Sequence, residues 1–177
     1  MTASPILAVL DDATLVARVR AGDPDALGAL YWRHASDLLR TAYAITLTTE
    51  DAEEVVQDVF AGLGAMLSGY EERGQLLSWL KRIAARRALS ILRARGRMRD
   101  DVKDDRSVRP ATTAEAIAVR DALGALPPDL RIVVVLREIE GYSHEEIGEL
   151  LGIRRGTSEV RLHRALKRLR ALLEDRL

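Results

Sequence analysis

The chain has 177 residues, 47% of them apolar and only 4% aromatic, and its 27 Lys/Arg balance its 27 Asp/Glu. With no cysteine it can build neither a disulfide framework nor a thiolate metal site. Its unbroken apolar runs, such as Ile132–Leu136, are far too short to span a membrane, and Pro5–Leu10 lacks the basic flank of a secretion signal, so the sequence predicts a cytoplasmic protein.

Helical periodicity runs through nearly the whole chain, and no stretch alternates like a strand. The first predicted helix is Asp12–Ala21, ended by Gly22-Asp23-Pro24. Pro24 suits the first turn of the next helix, with Asp23 as its cap. That helix reaches about Ile45 and should turn Leu27, Leu30, Tyr31, Leu38, Leu39 and Ala42 inward. Thr48 or Thr49 caps a third helix. Glu50, Asp51, Glu53 and Glu54 complement its positive end, and Val55, Val56, Val59, Phe60 and Leu63 form its apolar stripe. After a loop with Ser68, Gly69 and Gly74, a fourth helix over about Leu76–Arg95 buries Leu80, Ile83, Ala84, Leu89 and Leu92.

Residues 96–113 change character. Paired aspartates, Pro110 and few large apolar residues mark a linker. Beyond it, one helix is predicted over about Thr113–Leu123, and a second opens at Pro127-Pro128 and runs to about Glu140. Ser143 and Glu146 then form a Ser-x-x-Glu capping box, and Gly152 ends the short helix that the box begins. The turn Ile153-Arg154-Arg155-Gly156 leads into a last helix ending near Glu174, with Leu162, Leu166, Leu169 and Leu173 on its core face. The expected fold is therefore all-α: two small helical domains on either side of a flexible linker.

A short capped helix, a glycine-ended turn and a long basic helix make a helix-turn-helix. Gly148 fits the close crossing that this unit requires. The start of the second helix in such a unit enters the major groove. That places Arg154, Arg155, Thr157, Ser158, Glu159, Arg161 and Arg164 toward DNA. Arg pairs two acceptors of guanine, and Glu accepts from cytosine. The same pattern also fits an ordinary αα-hairpin with a solvated basic face.

The neutral total hides a strongly uneven distribution. Residues 1–72 carry 4 Lys/Arg against 12 Asp/Glu, and residues 73–99 carry 9 against none. Residues 100–152 carry 6 against 12, and residues 153–177 carry 8 against 3. Two basic blocks between acidic ones suggest two polyanion contacts and a separate protein contact. Trp79 and Tyr70 beside the first basic block suit stacking on single-stranded bases, although a core role for Trp79 alone is the simpler reading. The acidic first block and the basic last block also predict that the domains attract each other and mask the DNA-reading helix. The linker, about 18 residues with a coil span of about 20–25 Å, permits both docking and separation.

No enzyme signature emerges. His34, His144 and His163 are scattered, and His144-Glu145 lacks the second His of a zinc-protease motif. Gly62-Leu63-Gly64 begins like a dinucleotide fingerprint but meets Leu67 where the third Gly belongs. No catalytic residue, metal or cofactor is expected. A stand-alone helix-turn-helix regulator, with the first domain as sensor or dimerisation module, is the rival reading, and the acidic helix Asp51–Asp58 argues against it.

Taken in order and at this spacing, the motifs resemble the extracytoplasmic-function group of the sigma-70 family. In the first domain the match runs through Leu15–Asp23 (LVARVRAGD), Asp51–Phe60 (DAEEVVQDVF) and Trp79-Leu80-x-x-Ile83-Ala84. In the second it runs through Leu126–Arg131 (LPPDLR), Gly141–Ile147 (GYSHEEI), Gly156-Thr157 and Arg161–Ala165 (RLHRA). The resemblance implies a non-enzymatic sigma factor that binds core RNA polymerase and directs promoter-specific initiation. It implies a region 2 domain over 10–96, a linker over 97–113 and a region 4 domain over 114–175. By the same resemblance, Asp51, Glu54, Gln57, Asp58 and Phe60 contact the polymerase clamp. Trp79, Lys81, Arg82, Arg86 and Arg87 contact the minus-ten DNA, and the helix-turn-helix reads the minus-thirty-five element. An anti-sigma factor is an expected partner. Arg86 and Ser90 stand where the family usually has Asn and Asp, Gly64 where Trp is common, and Glu159 where a basic residue often faces DNA. These departures bear on which promoter is read.

Overall fold

The computed structural model describes residues 7–96 and 114–174. The expected linker, 97–113, lies outside the described residues, which contain eight α-helices and no strand. In the first domain these are α1 (Asp12–Arg20), α2 (Pro24–Thr46), α3 (Thr49–Met66) and α4 (Leu76–Ala94). The second contains α5 (Ala114–Gly124), α6 (Pro128–Val134), α7 (His144–Leu151) and α8 (Arg155–Glu174).

Local chemistry explains most boundaries. Asp11 caps α1 by accepting from the Thr14 N–H at 2.8 Å. Asp23 accepts from the Asp25 and Ala26 N–H groups at 2.9 and 3.2 Å, with Pro24 at the first turn. Both carboxyls are held below the ordinary aspartate range, Asp11 first by the Thr14 side chain and then by its N–H, and Asp23 first by the Ala26 N–H. Thr48 occupies the cap position of α3 but its side chain accepts no cap bond, so the threonine cap expected there is positional only. α2 ends at Leu47, whose left-handed φ of 60° is unusual for a bulky residue. Its side chain is buried, which holds the residue in that conformation although no glycine marks the turn.

α2 packs on α3 and α4, with α1 against its side. Leu30, Leu38, Ala42, Val55, Val59, Leu63, Leu80, Ala84 and Leu89 fill the interior. Tyr31, expected inward, is instead at the surface, with its ring edge against Phe60 and their centroids 5.0 Å apart. Ala26, Ala29 and His34 take the inward positions of that face.

The expected single helix to Glu140 is α6 followed by a π-helical turn, Val135–Ile139. There the Glu140 N–H reaches back five residues to the Val135 carbonyl at 3.0 Å. Along α8 the inward face is Ser158, Leu162, Ala165, Leu169 and Leu172. Leu166, assigned inward from spacing, is exposed.

The two domains are packed together rather than separate. One buried cluster joins Leu38, Ala42 and Leu80 of the first domain to Ile132, Val133, Leu136, Tyr142 and Ile147 of the second. A smaller cluster around Leu126, Val134 and Ala165 seats α8 on α5 and α6. Ion pairs between the domains join Lys81 to Glu140 and Arg82 to Glu146. They link the first basic block to the acidic block after the linker, a different pairing from the expected attraction between the acidic first block and α8. The start of α8 remains exposed at Arg154, Arg155 and Thr157, so it is not the masked helix.

Candidate nucleic-acid interface

The helix-turn-helix is built by a few backbone and cap interactions. The Ser143 N–H donates to Glu146 at 2.7 Å, and the Glu146 N–H donates to the Ser143 hydroxyl at 3.2 Å, which completes the capping box. The Glu146 carboxyl is held below the ordinary glutamate range, first by the Ser143 backbone N–H and further by Arg82. Gly152 closes α7 with a φ of 67°. The Ile153 N–H returns to the Gly148 carbonyl at 3.0 Å. A Cβ on Gly148 would lie 2.7 Å from the Ile153 carbonyl oxygen, so the tight turn into α8 requires glycine there.

This turn presents the first two turns of α8. Arg154, Arg155, Thr157, Glu159 and Arg164 are exposed. Ser158 is not: it is fully buried and shares a 2.9 Å hydrogen bond with Nδ1 of His144. Its expected place at DNA is thereby corrected to a tie between α7 and α8. Arg155 donates to Glu145 at 2.6 Å and to Glu159 at 2.7 Å. The Glu159 carboxyl is lowered, first by that Arg155 hydrogen bond. The acid that departs from the family pattern is thus neutralised by its neighbour. Arg161 lies 3.4 Å from Asp129 at the start of α6, which aims its guanidinium along the α6–α8 groove. Sequence spacing did not single out Asp129 or the His144–Ser158 tie, because both join residues from different helices.

α4 carries the other basic face. Trp79 is half-buried and stacks against Tyr70, with centroids 4.7 Å apart. Burial raises the Tyr70 hydroxyl's pKa. Arg20 of α1 pins the loop before α4 by donating to the carbonyls of Leu67, at 2.9 Å, and Tyr70. Sequence reading passed over this arginine. Arg86 and Arg87 are exposed, while Lys81 and Arg82 engage the second domain.

On α3, Glu54, Gln57 and Asp58 share an exposed face at helical spacing. Arg95 crosses to this helix, pairing with Asp51 and, at 2.5 Å, with Glu54. Asp51 and Phe60 are buried, so neither presents a surface for another protein. Asp58 lies 3.8 Å from Arg87, which sets the acidic face beside the basic one. Among the described residues, no cluster of His, Cys, Asp or Glu could hold a metal ion, and no helix is long and apolar enough to cross a membrane.

Two helical domains, one ending in a helix-turn-helix and both presenting arginine-rich helices, define a DNA-binding protein. Residues 30–98 match sigma-70 region 2, and residues 116–169 match sigma-70 region 4. The chain is 35% identical to the ECF RNA polymerase sigma factor SigM of Mycobacterium tuberculosis, over 92% of this chain and 84% of that one. It is 34% identical to the RNA polymerase sigma factor CarQ of Myxococcus xanthus, over 89% and 95%. It is also 34% identical to the ECF sigma factor SigE of Mycolicibacterium smegmatis, over 80% of this chain but only 59% of that longer relative. Among solved structures it resembles the sigma factor RpoE of Bartonella quintana bound to the anti-sigma factor NepR. There the TM-score is 0.61 at 27% identity, with 81% of this chain and 94% of that one covered. CnrH in complex with the cytosolic domain of CnrY gives a TM-score of 0.55 at 29% identity, with 93% and 97% covered. The chain belongs to the sigma-70 family, among its extracytoplasmic-function sigma factors.

Proposed function

We propose that this chain binds core RNA polymerase and directs it to promoters without chemistry of its own, acting in the cytoplasm. In this reading the first domain, 10–96, contacts polymerase through Glu54, Gln57 and Asp58 of α3. Asp51 and Phe60 support that face from within. α4 and its preceding loop meet the minus-ten DNA through Trp79, Lys81, Arg82, Arg86 and Arg87. The second domain, 114–175, reads the minus-thirty-five element with Arg154, Arg155, Thr157, Glu159, Arg161 and Arg164. The stretch 97–113 joins them as a linker. The observation that carries the reading is the α7–α8 unit, a capped helix-turn-helix whose exposed arginines face away from the core.

Both structural relatives are bound to other proteins, one of them an anti-sigma factor, which supports an anti-sigma partner for this chain as well. Competition with a labelled sigma factor for core polymerase separates this function from a stand-alone regulator. The chain is expected to displace the label at stoichiometric concentration. A folded chain that never displaces it would favour the regulator.

A further inference from the structure

Val160 is an odd residue for its place. It is apolar, β-branched and 49% exposed in the second turn of α8. Branching at Cβ lowers helix preference, and exposure forfeits what burial of the side chain would contribute. The buried residues of α8 are Ser158 and Ala165. At about 3.6 residues per turn, Val160 points about 140° or more away from both, squarely off the core.

The cations on either side of it are drawn aside. On one flank Arg155 is held by Glu145 at 2.6 Å and by Glu159 at 2.7 Å. On the other, Arg161 leans to Asp129 at 3.4 Å. Thr157, Val160 and Arg164 are left on a single face, at the three- and four-residue spacing of helix neighbours. With Leu130, Asp129 and Arg161 they line a groove of about 450 Å³ between α6 and α8. Leu130 and Val160 are its apolar walls.

We infer that Val160 is a specificity-determining residue that reads the C5-methyl of a thymine in the minus-thirty-five element. The inference rests on the reading of α8 as the major-groove helix, and it names a base that this chain selects there. Among the bases, only thymine carries an apolar group on its major-groove edge. An amino group, O6 or N7 turned toward Val160 would lose water and gain no partner. A phosphate fits the groove poorly, because the Asp129 carboxylate lies in it, whereas a methyl carries no charge to repel. Thymine O4, beside the methyl, falls to Arg164, one turn farther along the same face. Glu159 is kept from the methyl by its pairing with Arg155.

The test loads the full chain on core polymerase and selects promoter duplexes randomised across the minus-thirty-five region. The selected duplex is remade with deoxyuridine in place of one thymidine at a time, which removes only the methyl. At one position this is expected to weaken binding about fourfold, the worth of one buried methyl group. Val160→Ala should bind the thymine and uracil forms of that position alike and keep wild-type preferences at the others. Alanine is the better helix former, and circular dichroism verifies that the variant is folded. A selected duplex without a methyl-sensitive position would overturn the inference, as would a folded Val160→Ala that keeps the fourfold difference. Arg164→Ala tests the underlying reading separately. If it weakens binding while no thymine methyl matters, α8 reads DNA without Val160. If it binds every duplex as the wild type does, α8 is not the groove-facing helix, and the inference falls with that reading.

Discussion

Single residues decide the geometry of the DNA reader. Gly148→Ala would drive a methyl to 2.7 Å from a backbone oxygen, which only a shift of the α7–α8 turn can relieve. The expected cost is about 1–3 kcal/mol, read as a lower denaturation midpoint together with weaker duplex DNA binding. An unchanged midpoint would show that the turn yields freely. Glu146 gives a pH signature. Its folded pKa is depressed, so its contribution is present above the ordinary glutamate range and lost as the pH falls through the lowered value. Wild-type protein should therefore lose more stability than Glu146→Gln between about pH 6 and pH 3, a range that brackets the ordinary glutamate value. Parallel losses in thermal melts would contradict this. The capping box and Gly148 are legible in sequence because their signals lie within a few residues. Burial of Ser158 is not, since it depends on His144 reaching across from another helix.

At the scale of elements, α8 and α3 make separable contributions. Arg164→Ala removes an exposed cation, and Arg161→Ala removes one steered by Asp129. A base-reading arginine should cost about 1–3 kcal/mol and relax preference at one position, whereas a phosphate contact should weaken all sequences alike. Binding of both variants to minus-thirty-five DNA at wild-type strength would misplace the groove-facing surface. Asp58→Lys reverses an exposed charge on α3 and should impair competition for core polymerase while leaving the helical spectrum intact. Normal competition by a folded variant would take this face out of the contact. Helix positions were largely readable from caps, Pro24 and Gly152, which act locally. The π-helical turn was not, because nothing in Val135–Ile139 departs from ordinary helical spacing and the turn is set by packing against the first domain. Leu166 and Leu173 share helical spacing with Leu162, so only the seat of α8 on α5 and α6 chooses the inward set.

At the scale of the molecule, block charges foretold two basic surfaces but not their pairing. Net charge attracts over distances that salt screens within about 8 Å. The closed form is instead specified by individual groups: Glu140 between Thr41 and Lys81, Glu146 on Arg82, and a shared apolar cluster. Two small domains with a modest core each thus gain from burying surface against one another. The central claim, that this chain confers promoter choice on RNA polymerase, is tested most directly by transcription in vitro with core polymerase on a genomic DNA library, with transcript ends sequenced. The account predicts a small set of discrete start sites sharing two upstream elements, lost with Asp58→Lys and weakened with Arg164→Ala. A folded chain that yields no start sites beyond those of core polymerase alone would contradict it.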